Sequence, residues 1–458
     1  MKITKTIETL FKRFLPSPFA IAVILTVVTI LLALVFTPAP EDESHFLAIL
    51  SYWENGVWNN DLLVFAYQMM LILVLGHILV LSKPVNRLIQ RLTNLVSNTA
   101  TAVILVSVTT MLVSFFNWGL GLIFGAIMAR KVGEASQARN FPINYPLIGA
   151  SGYVGLMIWH GGMSGSAPLK VAESGHLASL MQGVSDAAVI QGLPDVVSFD
   201  QTIFSGFNLI LFGSLLLLVP LFLYGIARKA QSTTVSLPVY KGLETSEVAG
   251  KGAERIDRSP VFGIAFGAII LIAFFYQYFD NITSNIITPN MLNFFMFGLA
   301  LMLHGSIASF LKALDEAIRG TSGILIQFPL YFGIMGIMRD SGMIVQISDF
   351  FVSIATETTL PIFTFFSAGL VNIFVPSGGG QWAVQGPIVI ESALKLGVPL
   401  PKAIMALSYG DQITNMLQPF WALPLLGITK LKAKEILPYT LLVMLLGMAV
   451  FLIGLLLF

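Results

Sequence analysis

The 458 residues are 56% apolar and only 11% charged, with a mean hydropathy of +0.83. A soluble domain carries about 25% charged residues, so most of this surface faces something other than water. A net charge of +1 provides no basic stripe and excludes a nucleic-acid partner, and the absence of cysteine excludes disulfides and thiolate metal sites.

The N-terminal basic residues precede an apolar run from Phe19 to Phe36. That run is longer than a signal-peptide core, about 7–15 residues, and ends in Thr37-Pro38 rather than at a small-residue cleavage site; it is read as a retained first membrane helix. Further spans are expected at 61–82, 145–168, 204–227, 261–279, 290–310, 321–338, 402–428 and 437–457, nine in all. Two apolar stretches, 99–130 and 359–395, are too long for one crossing. Asn117-Trp118-Gly119-Leu120-Gly121 interrupts the first and Pro376-Ser377-Gly378-Gly379-Gly380 the second, so both are read as re-entrant hairpins. With the N-terminus in the cytoplasm, only Lys170, Arg339, Lys395 and Lys402 among the 25 Lys and Arg fall outside, the expected positive-inside bias. The acidic stretch 41–60 fits an outer loop. Segments 83–98 and 341–356 read as short interfacial helices, and 229–258 as a cytoplasmic linker.

The two halves resemble one another at a nearly constant offset. Asn117 and Asn372 are 255 residues apart; Ala150 and Ala406, Tyr153 and Tyr409, and Pro168 and Pro424 are each 256 apart. FAYQMMLILVLG (65–76) likewise resembles ILIQFPLYFGIMG (324–336). With 261–279 as an extra crossing, the second half is inverted relative to the first. The expected organisation is scaffold helices over 1–98, the first hairpin, broken helix and closing helix over 99–227, and a linker over 228–260. A linking helix and second scaffold follow over 261–356, then the second hairpin, broken helix and closing helix over 357–458. The fold class is thus all-α and polytopic, with two inverted repeats whose paired broken helices point to a carrier with a midplane site.

Broken backbone at membrane depth survives only against protein or a water-filled cavity. Helix starts beyond each break offer free N–H groups and a positive dipole end to an anion. Candidate site residues are Asn117, Trp118, Gly119 and Gly121 at the first tip and Gly162, Ser164, Gly165 and Ser166 at the first broken helix. At the second tip they are Asn372, Pro376, Ser377, Gly378, Gly379, Gly380 and Gln381, and at the second broken helix Asp411, Gln412, Thr414, Asn415 and Gln418. Asn117, Asn372 and the serines read either as ligands or as caps and packing groups. Asp411, an intramembrane acid, reads as a cation ligand or protonation site, or as an interfacial acid near Lys402. His160 stands at the first break, while His77 and His304 read as structural. No Arg or Lys lies in a break, so neutral donors and dipoles are expected to meet an anion with one carboxylate and a small apolar tail, lined by Trp118, Trp382, Phe420 and Trp421. No Walker loop, G-x-S-x-G or H-E-x-x-H occurs, which leaves an ATP-driven pump or a common hydrolase without support.

The strings SFFNWGLGLIFGA, GGMSGSAPL, LVNIFVPSGGGQWAVQGP and YGDQITNMLQPFWALP, with FLPSPFAIAVILTVVT and SGFN (205–208), closely resemble the bacterial short-chain fatty acid transporters of the ion-transporter superfamily, over nearly the whole chain. The resemblance implies an inner-membrane symporter for butyrate- or acetoacetate-like monocarboxylates, working as an elevator on a dimeric scaffold. It places the site at the two tips and the two broken-helix loops, with no catalytic residue, no cofactor and no bound metal beyond a transported Na+. The Ser-Asn-Thr tripeptide of sodium–dicarboxylate relatives is absent from the four breaks, so Na+ and H+ both stand as coupling ions. A carrier for another anion such as a dicarboxylate, a membrane-embedded acyl-processing enzyme and a passive channel are the alternatives.

Overall fold

The computed structural model describes residues 13, 16–41, 43–181, 190–237, 254–283, 288–318 and 321–458. The N-terminal basic run and the middle of the expected linker lie outside the described residues. Among these residues the chain is helical throughout, its one β-bridge joining Ile143 to Thr233. Seven helices among the described residues are long and apolar enough to cross a membrane: Pro18–Phe36, Asn60–Leu81, Thr99–Phe116, Gly206–Ala227, Pro260–Gln277, Ser322–Asp340 and Ala433–Leu457. At about 1.5 Å per residue, the 22 residues of Asn60–Leu81 match the hydrocarbon thickness. These helices lack a polar stripe because lipid and protein interior are both apolar. Lys83–Thr93 differs, carrying Arg87 and Arg91 against Val85, Ile89 and Leu92; such amphipathic helices suit an interface.

Two expectations need correction. The acidic outer loop contains the helix His45–Val57, whose Ala48, Ile49, Gly56 and Val57 are buried as it packs on Ser322–Asp340. At 13 residues it is too short to register as a span, yet its apolar positions keep helical spacing. The single crossing expected over 290–310 is two helices, Pro289–His304 and Ile307–Ala317. Gly305, at φ +78°, ends the first in a conformation other residues seldom adopt, and Ser306 caps the second by accepting from the Ser309 amide.

One order of elements occurs twice. Long helix, short helix, long helix, short helix, helical pair, interrupted helix and closing helix run from Pro18 to Ala227, and again from Pro289 to Leu457. Packing crosses between the halves: Pro18–Phe36 and His45–Val57 lie on Ser322–Asp340, while Pro289–His304 and Ile307–Ala317 lie on Asn60–Leu81. Pro260–Gln277, the extra helix, packs on Pro289–His304. In the first pair, Thr99–Phe116 and Trp118–Arg139 fold against each other about Asn117; in the second, Leu360–Phe374 and Gly378–Leu396 do so about Val375–Ser377.

Candidate functional site

The first interrupted helix breaks after Tyr145–Ser151, passes a 3-10 turn at Val154–Met157, and resumes at Ser166–Val171. The second is narrower than the 410–419 expected. Leu400–Thr414 is regular helix through Asp411, and the interruption is Asn415–Leu417 with Gln418, before Pro419–Thr429. Pro419 sets the position, since a residue preceding proline is held extended and Gln418 is so.

Each broken segment is built with groups from elsewhere. The Asn372 amide donates to Thr414 Oγ1 at 2.9 Å and Asn415 Oδ1 at 2.7 Å, and Gln418 Nε2 donates to the Asn372 carbonyl. The Tyr153 hydroxyl lies 2.9 and 3.0 Å from the Asn415 and Gln418 carbonyls. In return, Gln412 Oε1 accepts the amides of His160 at 2.8 Å and Gly161 at 3.1 Å. His160 and Asp411, both fully buried, meet at 2.5 Å between Nδ1 and Oδ2. The Ala167 amide donates to His160 Nε2 at 3.0 Å, so that nitrogen is unprotonated and Nδ1–H faces the carboxylate.

Beside this core lies a cavity of about 740 Å³. Both tips and the first broken segment line it, through Asn117, Trp118, Gly119, Ser164, Ser166, Ser377, Gly378 and Gly379. The tip oxygens cap: Asn117 Oδ1 accepts the Leu120 amide at 2.9 Å and Ser377 Oγ the Gly380 amide at 3.2 Å. Ser164 Oγ accepts the Trp118 amide at 2.9 Å. With these oxygens anchored, the Asn117 Nδ2 and the two serine hydroxyl protons remain as oriented donors beside a fresh helix start at Gly378, whose first-turn amides have no partner within the helix. The lining also carries an aromatic cluster. The Trp118 and Trp421 rings are 5.0 Å apart, Trp118 and Trp159 5.8 Å, and Phe65 and Trp118 6.2 Å.

The remaining candidates do not line the cavity. Gly121, Gly162 and Gly165 pack against Ser114, the Phe115 carbonyl and the His160 carbonyl. Gln381 donates to the Ala368 carbonyl and Gln385. Asp411, Gln412, Thr414, Asn415, Gln418 and Asn372 form the polar core behind it, while Pro376 and Gly380 complete the turn. His304 reaches the Ile78 carbonyl at 2.8 Å, a structural contact. Neither ring nitrogen of His160 is available to Ser164, so the two form no nucleophile–base couple.

Sequence reasoning missed Phe65, Trp159, Lys170, Glu173 and His176, all on the cavity wall. Lys170 lies one turn beyond Ser166 and was within reach of helical periodicity; His176 gave no signal. Lys170, expected only as an outer-loop charge, pairs with Glu173 at 3.0 Å, so a cationic group does stand at the wall. His176 Nε2 accepts the Trp382 indole N–H at 3.0 Å, and burial, then Lys170, holds its pKa below the usual histidine value.

A protein of Escherichia coli (strain K12) named "Putative short-chain fatty acid transporter" is 36% identical over 464 residues, covering 100% of this chain and 99% of its own. One of the same name from Haemophilus influenzae is 35% identical, covering 99% of both. Among solved structures, the Alcanivorax borkumensis YdaH transporter matches 96% of this chain and 98% of its own at 15% identity and a TM-score of 0.45. The family model described as "Short chain fatty acid transporter" matches residues 1–458. The chain therefore belongs to the short-chain fatty acid transporter family, and is a multi-pass membrane transporter rather than an enzyme.

Proposed function

We propose that this protein takes up short-chain monocarboxylates of the butyrate and acetoacetate type by secondary active transport, together with a cation, Na+ or H+, across a bacterial inner membrane. The single observation that carries the reading is the cavity lined together by neutral donors and an aromatic cluster. The carboxylate meets Asn117, Ser164, Ser377 and the helix start at Gly378, and the alkyl chain lies along Trp118, Trp159 and Trp421. A neutral-donor site suits one negative charge, because no buried cation must be left unpaired when the site is empty.

The recurring element order and reciprocal packing support two inverted repeats, with the helical pairs as re-entrant hairpins. Those pairs and the broken segments, tied by buried hydrogen bonds, form one body that slides as an elevator against a homodimeric scaffold of the remaining long helices. The N-terminus is placed in the cytoplasm by the distribution of Lys and Arg.

Lys170 favours a second reading, a dicarboxylate carrier, because its ammonium can meet a second carboxylate. The test is uptake of radiolabelled butyrate into proteoliposomes with Na+ and pH gradients imposed separately and with acetate or succinate as competitor. Accumulation driven by either gradient and blocked by acetate supports the monocarboxylate symporter. Competition by succinate alone would overturn it in favour of the dicarboxylate carrier, and equilibration without accumulation would overturn coupling.

A further inference from the structure

We propose that the co-transported cation is a proton and that its seat is Asp411, in the buried pair with His160 roofed by Gly378 of the second tip. This rests on the transport reading above and deepens it.

The pair has one vacancy. Asp411 is fully buried, yet its Oδ1 has no hydrogen-bond partner, while Oδ2 is held by His160. A buried carboxylate with one oxygen unsatisfied is costly; a proton on Oδ1 removes the buried charge, the larger part of that cost. The second candidate, His160 Nε2, is closed to a proton because it accepts the Ala167 amide. The surroundings also disfavour a metal cation. The oxygen of the neighbouring Gln412, Oε1, is spent on two backbone amides, and the imidazole presents N–H to the carboxylate.

Among the described residues, the elements packed on Asp411 bring few titratable groups. Leu360–Phe374, Val154–Met157 and Asn415–Leu417, which pack on or follow the Asp411 helix, contain no titratable side chain. On Gly378–Leu396, Glu391 pairs with Lys395; on Ser166–Val171, Lys170 pairs with Glu173. On Ala433–Leu457, Glu435 accepts the Lys432 amide, Tyr439 bonds Asn144, and Lys434 lies beside them in the first turn. On the Asp411 helix itself, Lys402 is more than two turns away and Tyr409 donates to Asn208.

Gly378 connects this seat to the cargo. A Cβ there would stand 2.8 Å from His160 Cε1 and 2.7 Å from the Trp159 ring, so the tip backbone lies directly on the imidazole edge. Because Gly378 also lines the cavity, displacement of the second tip uncovers the cargo site and the His160 ring together. The proton enters by that route, binds Asp411 Oδ1 to give a neutral acid, crosses with the carboxylate, and leaves from the same oxygen on the other side.

The test uses purified full-length protein in sodium-free proteoliposomes with radiolabelled acetoacetate, protein-free vesicles correcting for leak of the neutral acid. Wild type is expected to accumulate label under a pH gradient. Asp411→Asn is expected to lose accumulation down to the protein-free ratio while still exchanging internal for external acetoacetate. Accumulation by Asp411→Asn equal to wild type, or accumulation by wild type under a Na+ gradient alone, would overturn the proton seat and leave the carrier standing. Absence of both uptake and exchange in wild type would instead sink the transport reading. Infrared difference spectroscopy of the unmutated protein on acidification is expected to show the C=O stretch of a buried protonated carboxyl; its absence overturns the proposal whether or not Asp411→Asn folds.

Discussion

Gly378 and Gly379 are consecutive residues in the first turn of one helix, and alanine at either should favour helix by about 1 kcal/mol. Their surroundings separate them. A Cβ on Gly379 would have Ser166 Oγ at 3.8 Å as its nearest neighbour, whereas one on Gly378 would press on Trp159 at 2.7 Å and His160 at 2.8 Å. Both rings are fixed, His160 by three hydrogen bonds through its ring and backbone and Trp159 by stacking on it at 4.6 Å, so neither swings aside freely. Overpacking of this kind costs about 1–3 kcal/mol, which exceeds or cancels the helix gain. Gly379→Ala should therefore leave thermal stability in detergent unchanged or slightly raised. Gly378→Ala should lower stability, or, if the tip yields instead, weaken substrate affinity by about 5- to 150-fold at about 1.4 kcal/mol per tenfold. Both readouts come from thermal unfolding with and without saturating butyrate. Indistinguishable behaviour of the two variants would refute the contact between the second tip and His160.

Trp118→Ala should reduce the preference for butyrate over acetate by up to about tenfold, because each buried methylene contributes about 0.8 kcal/mol; competition of labelled uptake measures the ratio. Asn372→Ala strands Asn415 Oδ1 and should cost about 1–3 kcal/mol, seen as lower thermal stability. Tyr153→Phe, which uncovers two buried carbonyls, should lose stability on the same scale. Lys170→Met should change stability little, since its pair with Glu173 is half-exposed, but should leave the KM for butyrate unaltered only if the carboxylate is held by the neutral donors. The pKa of His176 is lowered in the fold, so the unfolded chain takes up its proton first. Acidification from neutrality through the usual histidine range should thus cost stability and break the Trp382 contact, and His176→Gln should flatten that part of the stability profile.

Apolar length and proline- or glycine-marked ends were enough to place the long helices within a few residues, and the Asn117 and Ser377 turns were legible because a cap followed by glycine has few other uses in an apolar stretch. What escaped notice was of two kinds. His45–Val57 is short, and its partner Ser322–Asp340 is remote in sequence, so nothing local marks its apolar face as buried. The second break, read over 410–419, is shorter in the fold, confined to Asn415–Leu417 and Gln418. In the fold Gly410 serves close approach, a Cβ there lying 2.1 Å from the Phe365 carbonyl, and Pro419 makes the interruption. The cavity wall was hardest to read, because Phe65, Trp159, Lys170 and His176 come from separate elements and share no motif.

The polar core gives the strongest reason to treat the tips and broken segments as one moving body. Each broken segment hands its unsatisfied groups to the other half: amides 160 and 161 to Gln412, carbonyls 415 and 418 to Tyr153, and the Trp118 amide to Ser164 within the first half. A motion that separated these elements inside the membrane would expose several backbone groups at once, each costing several kcal/mol where water is absent. A motion that carries them together, along with Gly206–Ala227, whose Asn208 bonds the Gly161 carbonyl and the Tyr409 hydroxyl, breaks none of these bonds. At the second tip the turn oxygen of Ser377 is satisfied locally by Gly380, while Asn372 ties the same hairpin to Thr414, Asn415 and Gln418. A displacement confined to the turn above Asn372 would leave these hydrogen bonds of the core intact.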